Sequence, residues 1–214
     1  MAISLDDKKA QKIERRKDQI LAAAKHIFAA NGFPGTRIDQ IAAYLTIGKG
    51  TLYRYFPDKK SLFLAVFEQG MNQLSRAIIA RVEPIADPRQ KIATAVKMYF
   101  AFFDADKELI EITMQVRSEF KDDYSRVFME LHSDYIVRIK ENLRDGIKIG
   151  VFRDLDVEKT AEAMSAALQG VLQTFYIREF KVDSAAQGPA GQKISLSDMT
   201  EAVTTLLLEG VLKR

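Results

Sequence analysis

The residues richest in chemical potential stand together in one octapeptide, Lys49-Gly50-Thr51-Leu52-Tyr53-Arg54-Tyr55-Phe56. Leu52 and Phe56 are four apart and can share the inward face of a short helix. Lys49, Thr51, Tyr53, Arg54 and Tyr55 then fall outward. Lys and Arg can reach guanine edges in a major groove, and hydroxyls suit phosphate oxygens. Spacing alone leaves a second reading open, in which Tyr53 and Tyr55 pack on neighbouring helices. The rest of the chain offers little for covalent chemistry. Cysteine is absent, which excludes a thiol nucleophile, a thiolate metal site and a disulfide framework. His26 and His132 lie far apart, with no acidic–His cluster at metal spacing, so no metal site is expected. No nucleophile–base pair or phosphate-cradling glycine loop is visible, so neither enzymatic activity nor a cofactor is expected.

The elements that must position this octapeptide are helical. Across 214 residues, 47% hydrophobic and 29% charged, apolar spacing of helical period recurs and strand-like alternation does not. Ile20, Leu21, Ala24, Ile27 and Phe28 form one stripe, which stops at Asn31-Gly32. Thr36 then reads as an N-cap with Asp39 as its capping-box partner, and Ile38, Ile41, Ala42 and Leu45 carry the next stripe. A break at Thr46-Ile47-Gly48 precedes the octapeptide, and Pro57 ends it. A capped helix, a short turn and a second short helix make a helix-turn-helix pattern.

Helical stripes continue from Asp58 to near Pro84, from Asp87-Pro88 through Phe103, from Asp106 to Phe120, and from Asp123 to Lys148. Two further helices are expected, capped by Asp156 and starting near Ser195, with a polar loop between them from Val182 to Lys193. The chain is thus read as all-α with about nine helices. Charge divides it: residues 1–62 hold twelve Lys/Arg against six Asp/Glu, whereas the chain as a whole is only +3. The expected organisation is a basic N-terminal tail and DNA-binding head over 1–62 and a separate helical body over 63–214. No stretch has the length and apolarity of a membrane span, and no secretory signal is visible at the N-terminus, so the expected place of action is the cytoplasm.

Gly32-Phe33, then Thr36-Arg37-Ile38-Asp39-Gln40-Ile41-Ala42, then Gly50 to Leu62 resembles the DNA-binding domain of the tetracycline-repressor (TetR) family. The resemblance covers about residues 17–65 and implies a double-stranded DNA operator as partner. It implies that Thr36 caps the second helix and touches a phosphate, with Arg37 beside it reaching a base or phosphate. Lys49, Gly50 and Thr51 would begin the recognition helix. Gly50 would let the backbone approach DNA, or else simply permit the turn. Tyr53, Tyr55 and Lys59 would hold phosphates, and Arg54 is a possible base contact.

The same resemblance implies a homodimer joined by the last two long helices, about Val157–Arg178 and Ser195–Leu212. Ala167, Leu168, Val171, Leu172, Phe175, Val203, Leu206 and Leu207 are candidates for that interface, unless their stripes face only their own core. It also places a small-molecule effector among the middle helices. Candidates are Met98, Phe102, Phe103, Met114, Arg117, Phe120, Tyr135, Gln169, Gln173 and Tyr176. Arg117 stands out on a largely apolar helix, able to pair an anionic ligand or a neighbouring glutamate. The implied function is a ligand-responsive transcriptional repressor that a hydrophobic effector releases from a palindromic operator. The alternative is a ligand-independent DNA-binding dimer governed by a protein partner.

Overall fold

A computed structural model describes residues 5–181 and 195–213. Among the described residues the chain forms α1 (Leu5–Gly35), α2 (Ile38–Tyr44), α3 (Lys49–Tyr55), α4 (Lys59–Val82), α5 (Pro88–Ala105), α6 (Lys107–Glu119), α7 (Lys121–Lys148), α8 (Val157–Tyr176) and α9 (Leu196–Val211). A π-helical turn, Ile177–Lys181, follows α8. No strand occurs among these residues, only an isolated bridge between Phe152 and Leu212. The Val182 to Lys193 loop and the His132 side chain lie outside the described residues.

Helix starts follow the sequence chemistry closely. Asp58, Asp87, Asp106, Asp156 and Ser195 each accept a hydrogen bond from a backbone N–H in the first turn of α4, α5, α6, α8 and α9. Each satisfies a donor that the helix itself leaves open. The stop at Gly32 also stands: its φ of 73° breaks α1, and only one further turn follows.

The start of α2 is a correction. Arg37, not Thr36, is the N-cap residue, and Gln40 Oε1 accepts from the Arg37 N–H at 2.7 Å. Thr36 is 1% exposed and its hydroxyl donates backward, to Gly32 O at 2.8 Å. The break at Gly32 frees that carbonyl, and the buried hydroxyl takes it up. Asp39 turns to the cations Lys49 and Arg37 instead of a cap.

Two apolar clusters organise the chain. The head cluster joins Ile20, Phe28, Ile41, Leu52, Phe56 and Leu62 to Phe63 and Phe67. It extends along α4 past residue 62 and takes in Ile112 and Val116 of α6. The body cluster centres on Phe100, Phe103, Leu109, Ile110, Leu143, Phe152 and Leu172.

The turn between α2 and α3 carries local strain. Ile47 N–H donates to Ala42 O, and Thr46 N–H to Ala43 O, the paired bonds of a Schellman ending. That ending puts Thr46 at φ 53°, in the left-handed region where a β-branched residue is costly. Thr46→Gly is expected to raise stability by about 0.5–1 kcal/mol, the relieved strain exceeding the glycine's added unfolded-state entropy. Chemical denaturation with an unchanged or lowered midpoint would contradict this.

Candidate DNA-binding and effector sites

The candidate DNA-binding face is built on α3, whose inward residues Leu52 and Phe56 are buried at 0% and 4% exposure. Burying these two turns Lys49, Tyr53 and Arg54 outward, while Thr51 and Tyr55 are half-buried. Lys49 lies 6.0 Å from the Tyr53 ring centroid, and the Arg54 guanidinium 5.5 Å from that of Tyr55. Tyr55 also packs against the head cluster, which is the packing reading of this ring. Lys49 Nζ binds Asp39 at 2.8 Å, which tethers the first residue of α3 to α2. The hydrogen bonds from Lys49 and then Arg37 hold the Asp39 carboxyl below its ordinary pKa. Asp39 in turn raises that of Lys49. Both groups are exposed, so a phosphate can exchange for the carboxylate at little cost.

Gly50 is exposed inside the first turn of α3, and a Cβ there would meet nothing within 4 Å. Its φ is not positive, and the strained turn position belongs to Thr46. Permitting the turn therefore does not account for this glycine. Lys59 is half-buried and has partners within the chain. Its Nζ donates to Phe33 O at 2.9 Å and Thr36 O at 3.0 Å, over the Phe33 ring. Two of its three protons thus fasten the α1–α2 turn to α4. Thr36 is corrected: its hydroxyl is buried and bonded to Gly32 O, not turned to the surface.

The body holds a series of cavities that share walls. The outer one, about 220 Å³, lies among α4, α5 and α7, with Met164, Leu168 and Leu207 closing it. Its walls are mostly apolar, and Glu83, Lys91, Arg138, Glu141 and Asp145 add charge. A second cavity of about 80 Å³ shares Ser75, Ile78, Tyr135 and Leu168 with it. A third, about 40 Å³, shares Phe67, Met71, Tyr99 and Gln169 with the second, and includes Arg117. In order they mark out a path of neighbouring voids from the charged wall to α6, each sharing lining residues with the next. Arg117 Nη1 donates to Gln173 Oε1 at 3.0 Å. Burial pushes the Tyr135 phenol well above its ordinary pKa, so it stays neutral along this path.

Of the candidate effector residues, Phe103, Met114, Arg117, Tyr135 and Gln169 line these cavities. Gln173 reaches it only through Arg117. Met98, Phe102, Phe120 and Tyr176 line none of the three cavities. Met98 and Phe102 pack on the body cluster instead. Phe120 joins the head, edge-on to Phe33 with centroids 4.7 Å apart. The Tyr176 hydroxyl donates to Glu111 at 2.9 Å.

The family model of bacterial regulatory proteins of the tetR family matches residues 20–66, and that of the tetracyclin repressor-like C-terminal domain matches residues 86–173. The chain belongs to the TetR family. Among the relatives of this TetR-family chain is the fatty acid metabolism regulator protein of Bacillus subtilis, 22% identical over 90% of this chain and 94% of that one. Many solved structures share the fold, and two of them bear on the ligand. One is a transcriptional regulator from Saccharomonospora viridis in complex with choline, TM-score 0.79, 22% identical, covering 94% of this chain and all of that one. The other is FadR from Bacillus subtilis in complex with stearoyl-CoA, TM-score 0.76, 22% identical, covering 90% and 97%. This TetR-family chain is thus a ligand-responsive, DNA-binding transcriptional regulator.

The candidate interface residues of the TetR-family body divide between core and surface. Leu168, Leu172, Phe175 and Val203 are buried in their own core at 2–8% exposure, a correction to the interface expected from the stripes. Ala167, Val171 and Leu207 are half-buried, and Leu207 also lines the outer cavity. Leu206 is 68% exposed. The open face of α8 carries Ala163, Ala166, Gly170 and Thr174, and that of α9 carries Ala202, Leu206 and Gly210. Sequence reasoning missed most of the outer cavity, including Ser75, Ile78 and Asn142. One signal was available: Asn142 stands in the apolar series Ile136, Ile139, Leu143 of α7.

Proposed function

We propose that this chain is a cytoplasmic, homodimeric repressor that binds a palindromic operator through α3 and leaves it when an elongated, largely apolar effector fills the body. The neighbouring cavities carry the effector half of this reading. Their shape suits a chain-like molecule better than a compact cation, which favours the stearoyl-CoA of one structural neighbour over the choline of another. Lys91 and Arg138 at the outer cavity suit an anionic head on such a chain.

On the DNA side, Lys49, Thr51, Tyr53, Arg54 and Tyr55 supply base and phosphate contacts, and Arg37 adds a cation at the start of α2. Gly50 supports this reading most directly, since nothing within the chain requires a glycine there. Dimerisation through the open faces of α8 and α9 would set two copies of α3 about one helical turn of DNA apart, roughly 34–36 Å.

The test is selection of binding sites from a random duplex pool at two salt concentrations, with wild type and Gly50→Ala in parallel. Wild type is expected to enrich a palindrome with a steep salt dependence. Gly50→Ala is expected to raise the melting temperature, because alanine is the better helix former by roughly 0.5–1 kcal/mol. It is expected to weaken operator binding about tenfold or more, because its methyl group stands where the DNA backbone comes close. Equal operator affinity for both proteins would remove Gly50 from the interface. Release of the selected operator is then compared across acyl-CoA chains of graded length and choline. Release that grows with chain length supports the effector class, and release by choline alone overturns it.

A further inference from the structure

Asn142 is 9% exposed and stands in the wall of the outer cavity. Its Nδ2 donates to Pro88 O at 3.0 Å. That carbonyl can only accept, so the amide cannot be turned over without setting two acceptors against each other. The orientation of the side chain is therefore fixed by α5. Its Oδ1, fixed in the same way, has no hydrogen-bond partner. A buried acceptor left open is destabilising, and it is the kind of group a ligand completes. Ile78, Ile92, Val96 and Ile139 line the same cavity, and so do the donors Ser75, Tyr135, Lys91 and Arg138, none of which is bonded to this oxygen.

We infer that Asn142 Oδ1 is a specificity element of the effector site and selects a chain that bears a neutral hydrogen-bond donor, a hydroxyl or amide N–H, beside its apolar body. The inference rests on the effector reading above and narrows it. A carboxylate, an ether or an ester in the same position offers Asn142 only a second acceptor. A donor would instead close the open valence in an environment shielded from water, where the preference is strong. The Nδ2–Pro88 bond sets the direction of the acceptor before the ligand arrives, and the ligand's donor must part the wall to reach it, because Oδ1 has almost no open surface.

The experiment measures displacement of 1-anilinonaphthalene-8-sulfonate from the full chain by 1-dodecanol and by dodecyl methyl ether. The two probes share a chain and differ in the donor. Wild type is expected to bind the alcohol at least fivefold more tightly. Asn142→Leu is expected to lose that preference while binding the ether as well as or better than wild type does. Asn142→Ala provides the same comparison where the leucine variant fails to fold. Equal affinities for the two probes in wild type overturn the inference and leave the apolar effector reading standing. A preference that persists in a folded Asn142 variant also overturns it. Failure of both probes to bind overturns the effector reading itself, and this inference with it.

Discussion

Gln115→Leu is expected to leave operator affinity within about threefold of wild type and to reduce effector-driven release at least tenfold. The reason lies in the two faces of α6. Thr113, Met114 and Arg117 line the third cavity. Ile112 and Val116 are fully buried in the head cluster. One helix is thus a shared wall between cavity and head. Gln115 ties that wall to α1 with both ends of its amide: Phe33 N–H donates to Oε1 at 3.0 Å, and Nε2 donates to Phe28 O at 3.3 Å. Nearby, Phe120 packs against Phe33 and Phe63. At the far end of α6, Lys25 pairs with Asp106 and His26 with Glu108.

An effector that displaces α6 therefore pulls on α1 at the Phe28–Phe33 segment. From there Lys59 and Thr36 pass the shift to the α1–α2 turn. Leucine fills similar space but makes neither bond, so α6 loses its hydrogen-bonded grip on the Phe28–Phe33 segment while the packing of Ile112 and Val116 and the two ion pairs remain. Coupling between sites is typically worth about 1–3 kcal/mol, or 5–150-fold in affinity, and it is reciprocal. Operator titrations with and without effector read it directly, and effector titrations with and without operator must give the same factor. A Gln115→Leu protein released at the wild-type effector concentration would take this contact out of the coupling.

How far the sequence discloses this design depends on how local the causes are. Leu52 and Phe56 are legible from a four-residue spacing, because helix geometry alone puts both on one face. Asp87-Pro88 and Ser195 are legible because capping involves only residues a few positions apart. Thr36 is not, since its hydroxyl has two local uses and the break at Gly32 decides between them. Phe120 reads as a pocket residue by type, and only the approach of Phe33 and Phe63 from the head claims it. Leu168 and Leu172 look like interface until the body closes over them. The open Ala163–Ala166–Gly170 face lies beside their stripe, and its small residues are legible from sequence as a surface that permits close helix approach. The outer cavity is the extreme case. A void is a property of helices that do not quite meet, and no residue in it announces the gap, Asn142 excepted.

Gly146→Ala is expected to destabilise the chain by about 2–3 kcal/mol, the cost of forcing a group into a packed core. A Cβ at Gly146 would lie 2.0 Å from Phe152 Cδ2 and 2.3 Å from its Cε2. The Cδ2–Cε2 side of the ring rests against the bare backbone of α7, and Phe152 is 2% exposed. It has little freedom to retreat. Val151 and Phe152 N–H both donate to Gly146 O, at 2.9 and 3.0 Å, closing the turn around Gly150. On the other side, Arg153 N–H donates to Val211 O and Lys213 N–H to Val151 O, which binds the same segment to the end of α9. Moving the ring therefore means loosening the joint that fixes α9 to the body. At roughly 2–4 °C per kcal/mol for a chain of this size, the melting temperature is expected to fall by about 4–12 °C. Phe152→Leu alone is also expected to destabilise, by leaving space where the ring was. Combined with Gly146→Ala it is expected to cost less than the sum of the two, because the smaller side chain relieves the clash. Strict additivity in that cycle would mean that the two residues do not meet as the structure has them. An unchanged melting temperature for Gly146→Ala would mean that the turn yields.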